Sequence, residues 1–205
     1  MAFDIDAIKQ GDAAALARCF DDLRGRLRRT IQFRLDVRLV SRIDVDDVLQ
    51  EAFMNASTRT AHIKAENEQE LFIWFRLIVM QTLIDTHRRH IGAKMRDAGR
   101  EAQPTAGAGY STSLSMTHRL IGHLTTPTQS LRRVEAQEKM ETALSAMNEI
   151  DREVLALRHF EELSNQEVAG VLGIEAKAAS IRYVRALRRL KEIMESLPGY
   201  EPSGQ

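Results

Sequence analysis

Between Ala13 and Ile31 apolar residues return every three or four positions, at Leu16, Phe20, Leu23, Leu27 and Ile31, while Arg18, Arg24, Arg28 and Arg29 fall on the other side. That period predicts an amphipathic packing helix, and Asp12 just before it is a residue able to cap it. After Asp44 the positions Val45, Val48, Leu49, Ala52, Phe53 and Ala56 repeat the pattern without error. A shorter helix is therefore expected there, with Asp47, Gln50, Glu51 and Met54 on its other face. From Glu68 to about Arg89 the chain is apolar almost all round (LFIWF, LIVM, LI), which predicts a helix at the centre of a small bundle, covered on several sides. It exits into Asp85, His87, Arg88, Arg89, His90, Lys94, Arg96 and Arg100, so a buried helix delivers a basic patch to the surface. Alternating strand patterns are nearly absent, and the expected class is all-α.

Over residues 98–126 the composition shifts to Gly, Ala, Ser, Thr and Pro with no sustained period, the signature of a flexible linker. Thr126-Pro127 then offers an N-cap with Pro at the first helical position, opening a helix to about Met147, and Asp151 is placed to cap another through Val154, Leu155 and Phe160. The stretch Leu163 to Lys191 reads as two helices joined by a tight turn. Ser164 and Glu167 make a capping box, Leu163 can staple onto Val168, and Gly173 suits the left-handed stop. On the second of these helices Ala179, Tyr183, Ala186, Leu187, Leu190 and Met194 share the inward side by period, and Lys177, Ile181, Arg185 and Arg188 the outward one. Rotating the helix would put Ser180, Arg182 and Arg189 outward instead. From Ala176 to Lys191 there are cations at Lys177, Arg182, Arg185, Arg188, Arg189 and Lys191 and no anion. Uncompensated like charge at helical spacing costs stability. A helix-turn-helix with such a second helix fits the major groove of DNA, cations meeting phosphates and base edges; the plainer reading is a solvated basic helix.

Composition narrows the choice. The chain has 205 residues, 29 Lys and Arg against 29 Asp and Glu, and no net charge, so attraction to a polyanion must come from local patches. The single cysteine, Cys19, lies among Leu16, Phe20 and Leu23 and reads as a small buried hydrophobe, with disulfides and Cys-rich zinc sites excluded. Asp44, Asp46 and Asp47 tempt a calcium reading, but an EF-hand loop beginning at Asp44 needs Gly where Leu49 stands and Glu where Asn55 stands. Acids in a first helical turn are explained by the helix dipole. Asp85 with His87 or His90 offers too few ligands among cations for a metal. No metal or cofactor is expected. The amino terminus lacks the basic start and apolar core of a secretory signal, and the most apolar later stretch is broken by Arg76 and Gln81, so a cytoplasmic location is expected. Ser-His-Asp order, HExxH, P-loop and Gly-rich nucleotide fingerprints are missing, which argues against an enzyme.

An acidic-capped DVDDVLQEAF helix, then WFRLIVMQTLIDTHRR, then a linker and DREVLALRHFEELSNQEVAGVLG resemble, in this order, the bacterial extracytoplasmic-function sigma factors of the sigma-70 family. The likeness covers nearly the whole chain. It implies a region 2-like helical domain over residues 1–97, a linker over 98–126 and a region 4-like helix-turn-helix domain over 127–197. In that family region 2 docks its acidic helix on the β′ clamp of RNA polymerase and reads and opens the minus-ten element. Region 4 reads the minus-thirty-five element and touches the β flap. The resemblance thus puts Asp44, Asp46, Asp47, Gln50 and Glu51 at the clamp, and Trp74, Asp85, Arg88 and Arg89 in the minus-ten region. On the recognition helix the candidate DNA contacts are Lys177, Ser180, Ile181, Arg182, Arg185 and Arg188. The implied partners are core polymerase and promoter DNA, with an anti-sigma factor as a further one. Two departures stand out: Met80-Gln81 where the family usually shows Arg-Asn, and Lys177-Ala178-Ala179-Ser180-Ile181-Arg182 where it usually shows Gly-Thr-Val-Lys-Ser-Arg. Trp74 reads equally well as core.

The rival reading is a stand-alone helix-turn-helix regulator whose first 100 or so residues sense a ligand or dimerise; it would bind a palindrome as a dimer without polymerase. A linker without apolar periodicity cannot bury itself, so limited proteolysis is expected to cut first between Pro104 and Thr126, releasing two resistant fragments. Earlier cutting inside residues 12–90 would overturn that division.

Overall fold

The structure is a computed structural model that describes residues 3–36, 39–97, 116–117 and 130–196, side chains excepted at 91–97 and 130–137. Every described element is helical: α1 (Ile5–Lys9), α2 (Ala13–Arg34), α3 (Val45–Ser57), a 3₁₀ turn at Thr60–His62, α4 (Glu68–Asp97), α5 (Ser130–Ala146), α6 (Glu149–Leu155), which runs on into a π-helical turn at Ala156–Phe160, α7 (Asn165–Leu172) and α8 (Ala176–Ser196). The class is all-α. The expected linker lies outside the described residues except at Met116 and Thr117, which are helical, and so does the Thr126-Pro127 helix start. The chain divides into two compact units, residues 1–104 with 170–173 and residues 105–169 with 174–205, so that α1 to α4 belong to the first and α5, α6 and α8 to the second.

In the first unit Asp12 caps α2 through the Ala14 and Ala15 amides at 2.8 and 3.0 Å. These bonds, that from Ala15 above all, hold the Asp12 carboxyl below its ordinary range. The stripe Leu16, Phe20, Leu23, Leu27 and Ile31 is buried as its period requires. Phe20 meets rings from two other helices, Phe53 of α3 at 5.2 Å and Phe75 of α4 at 5.4 Å, both edge-on. Arg26 adds a cation over the Phe72 ring at 3.8 Å. Cys19 is buried here, and desolvation pushes its thiol up to about 12. That makes it a small apolar filler with no reactive thiolate.

Two expectations about α4 need correction. The helix runs to Asp97, well beyond Arg89. Nor is it covered all round: Leu71, Phe72, Phe75, Ile78, Val79 and Leu83 are buried, but Leu77 is 58% exposed and Ile84 is exposed as well. α2 and α3 both pack on α4; against the described residues these two helices leave Leu77 and Ile84 uncovered.

In the second unit α5 and α6 both pack on α8 around Ala143, Leu144, Val154, Leu155, Leu157, Ala179 and Ala186, all buried. α6 is capped by Asn148, not by Asp151. Asn148 Oδ1 accepts from the Asp151 amide at 2.8 Å, while its Nδ2 donates to Asp151 Oδ2 at 2.6 Å, so Asp151 is the third helical residue of a reciprocal box. The π-helical turn ends with Arg158 donating to the Leu163 carbonyl oxygen and lying over the Tyr183 ring at 5.4 Å, which ties the end of α6 to α8.

The backbone assigns opposite values to two glycines that both have open space at the missing Cβ. Gly173 sits at φ +65° and Gly25 in the middle of α2. Gly173→Ala is therefore expected to destabilise by about 1–2 kcal/mol, the cost of a left-handed L-residue. Gly25→Ala is expected to stabilise by about 0.5–1 kcal/mol through helix propensity. Urea unfolding of each variant checks both signs.

Candidate nucleic-acid and partner interface

The turn between α7 and α8 is built as the sequence requires. Ser164 Oγ accepts from the Glu167 amide at 3.2 Å, and Glu167 Oε2 accepts from the Ser164 amide at 2.8 Å. Leu163 and Val168 are fully buried beside them, forming the staple that sets the entry angle. Gly173 in the left-handed conformation ends α7, and α8 follows three residues later.

On α8 the buried line is Ala179 and Ala186, with Tyr183, Leu190 and Met194 half-buried. The phase that turns Lys177, Ile181, Arg185 and Arg188 outward is the observed one: all four are exposed, Ile181 at 44%. Ser180 and Arg182 are half-buried on the flank. One residue departs from expectation. Leu187, placed inward by period, is 42% exposed, because the inward line runs through Ala186 and Leu190 and position 187 falls on its edge. Val184, exposed at 52%, joins the outward face between Ile181 and Arg188. It was legible as the position three beyond Ile181 and seven beyond Lys177.

The charges on α8 divide in two. Arg189 faces Glu192 at 3.6 Å and Lys191 faces Glu195 at 3.7 Å. Lys177, Arg182, Arg185 and Arg188 have no ion pair among the described residues. The uncompensated part is thus the N-terminal three turns, the part of a recognition helix that enters a groove.

In the first unit the candidate partner face lies on α3. Asp44 caps the helix by accepting from the Asp46 amide at 2.8 Å. Asp46 is turned onto α2, where Arg28 Nη1 donates to it at 2.6 Å and Arg24 Nη2 at 3.1 Å. These two bonds, Arg28 first, hold its carboxyl below the usual range. Glu51 is likewise engaged, by Arg89 of α4 at 2.7 and 2.9 Å, in an ion pair that leaves 42% of its side chain exposed. Asp47, Gln50 and Met54, the last 61% exposed, remain outward.

On α4, Trp74 is half-buried with an edge contact to Phe75 at 4.9 Å, so part of its ring is core and part reaches the surface. One turn beyond the exposed Leu77, Gln81 donates to both oxygens of Asp85 at 3.2 Å, and Arg88 approaches Asp85 at 3.7 Å. Asp85 is thereby a carboxylate that holds neighbours on its own helix. Trp74, Asp85 and Arg88 follow one another at helical spacing along this side of α4, with Arg89 at its margin.

Residues 137–190 match the model of the family described as Sigma-70, region 4. The matched segment runs from within α5 through most of α8 and contains the whole helix-turn-helix. This segment is thus similar to sigma-70 region 4, a DNA-binding regulatory domain family. Among curated proteins none matches the chain. Among the described residues no helix is long and apolar enough to cross a membrane, and no three His, Cys, Asp or Glu gather where they could hold a metal ion.

The Asp46 pairing has a pH signature. A carboxyl lowered in the folded state contributes stability that is present above its unfolded value and is lost as pH falls through the folded one. Asp46→Asn should leave the acid limb of stability, below roughly pH 4, flatter than in the parent. Urea melts from pH 7 to pH 3 measure this; an unchanged acid limb would show that the pairing carries none of it.

Proposed function

We propose that the chain is an RNA polymerase sigma factor of the extracytoplasmic-function type, acting in the cytoplasm to direct promoter-specific initiation. Residues 1–97 are read as its region 2-like domain, 98–126 as the linker and 127–197 as its region 4-like domain. The observation that carries the reading is the combination of a region 4 match over residues 137–190 with a separate helical unit that exposes an acidic helix face beside an arginine-bearing one. A stand-alone regulator accounts for the first of these only.

In this reading Asp47, Gln50 and Met54 meet a basic, partly apolar surface on the polymerase clamp, Asp47 supplying charge and Met54 adaptable contact. Trp74 and Arg88 face the minus-ten element, where an aromatic face can stack on an unpaired base. Lys177, Arg185 and Arg188 neutralise phosphates or read guanine edges of the minus-thirty-five element, with Ser180 and Arg182 on the flank. Ile181 and Val184 lie against thymine methyls. An anti-sigma factor is a further expected partner.

Adding the purified chain to sigma-free core polymerase should give initiation at specific promoters; none at any genomic promoter would refute the reading, and tight palindrome binding without core would favour the regulator. Asp47→Lys should abolish core binding with unchanged circular dichroism. Ile181→Ser should relax preference at one base pair of the minus-thirty-five element, costing less than the roughly 1–3 kcal/mol of a good polar base contact. Arg188→Ala, on a phosphate, should weaken all promoters alike and reduce the salt slope by about one. A large loss of melting temperature in Ile181→Ser with base preference intact would place that side chain in the core instead.

A further inference from the structure

We propose that Glu51 is a positioning residue for Arg89 and not a contact for a partner protein. The proposal deepens the sigma-factor reading and depends on it for what Arg89 faces. Resemblance alone assigns the two residues to different partners, Glu51 to polymerase and Arg89 to DNA, yet in the folded chain they hold each other. Arg89 Nη2 lies 2.7 and 2.9 Å from the two Glu51 oxygens and 2.9 Å from Thr86 Oγ1. The Thr86 hydroxyl donates to the Thr82 carbonyl oxygen at 2.9 Å. Its proton is therefore in use, and it meets Arg89 as an acceptor. Asn55 Nδ2 of α3 donates to a different atom of the same residue, Thr82 Oγ1, at 3.1 Å. The bonds from α3 and, by way of Thr86, from the guanidinium therefore meet at residue Thr82, one on its side chain and one on its backbone.

The chemistry of the Arg89 end decides what it can do. A guanidinium has five N–H donors in a rigid plane, and all three contacts fall on Nη2. Nη1 and Nε have no bond to a described residue. With Nη2 fixed, the plane is fixed, and Nη1 is presented at a set angle to whatever lies over this side of α4. Much of the rotamer freedom that an arginine gives up on docking is already gone. Both Glu51 oxygens lie within 2.9 Å of Arg89 Nη2, so the distances assign its charge to the arginine, whatever lone pairs remain open to water.

The test uses the full chain with core polymerase at a promoter where the wild-type protein initiates, comparing Glu51→Gln, Arg89→Ala, the double variant and Asp47→Lys. Glu51→Gln should keep core affinity within about twofold and slow open-complex formation about three- to fivefold, the scale of an exposed ion pair. In the Arg89→Ala background it should add nothing further. The proposal is overturned if Glu51→Gln weakens core binding as Asp47→Lys does, if opening is unaffected, or if its effect persists undiminished without Arg89. Should the wild-type chain give no initiation, the sigma-factor reading fails separately, and binding of the free chain to a forked duplex of random sequence decides the positioning role. There Arg89→Ala should reduce the salt slope by about one in the parent and by less than half as much in Glu51→Gln. Equal reductions, or no DNA binding at all, would sink it.

Discussion

Three helices of the first unit meet at Phe20. Its ring touches Phe53 of α3 on one side and Phe75 of α4 on the other, both at edge-to-face distances, and such a contact admits little rotation of either helix. Once Phe53 points at α2, Val48, Leu49, Ala52 and Ala56 must go into the core, as they do. Asp47, Gln50 and Met54 are then turned out by the geometry of a 3.6-residue helix. The same contact turns Phe72, Val79 and Leu83 of α4 inward and leaves Leu77, Gln81 and Arg88 outside. The surface on which partner binding is proposed is therefore the complement of one aromatic junction.

Charge then divides that surface. With no net charge on the chain, an arginine beside a carboxylate is the cheapest arrangement, and α3 supplies carboxylates to both neighbours: Asp46 to Arg24 and Arg28 of α2, Glu51 to Arg89 of α4. These pairs are exposed, and each contributes little to stability. Their larger effect is on orientation: Asp46 is turned toward α2 and Glu51 toward α4, each with more than 40% of its side chain still exposed.

Local order was legible in the sequence wherever the controlling contact lies within a few residues. Asp12, Asp44, the Ser164-Glu167 box and the Gly173 stop are all such cases, and the stripes of α2 and α3 follow from period alone. Where two polar residues compete for one cap, the sequence misled: Asn148 takes the position expected of Asp151, because the box runs from Asn148 to the third residue after it. Leu187 was misplaced for a related reason, since a 3.6-residue period leaves edge positions undecided and small residues at 179 and 186 set the true inward line. The ion pairs were beyond reach altogether. Asp46 and Arg24 are 22 residues apart, Glu51 and Arg89 38, and only packing around Phe20 brings them together. The helix-turn-helix was the most legible part because its caps, staple and stop all lie within one short segment.

On α8 two independent properties change at the same place. Up to Arg188 the cations have no carboxylate among the described residues, and beyond it Arg189 and Lys191 each face one a turn later. The exposed apolar side chains Ile181, Val184 and Leu187 also end there, with Ile193 and Met194 half-buried. An exposed isoleucine or valine among unpaired cations is unfavourable in water on both counts, through unburied apolar area and through repulsion. A surface that is both apolar and polycationic is matched by a duplex groove, where phosphates flank methyl-bearing base edges. The helical rise puts Lys177 and Arg188 about 16 Å apart along the axis, some three turns. The rest of α8 pairs its charges within the helix and keeps Leu190, Ile193 and Met194 half-buried.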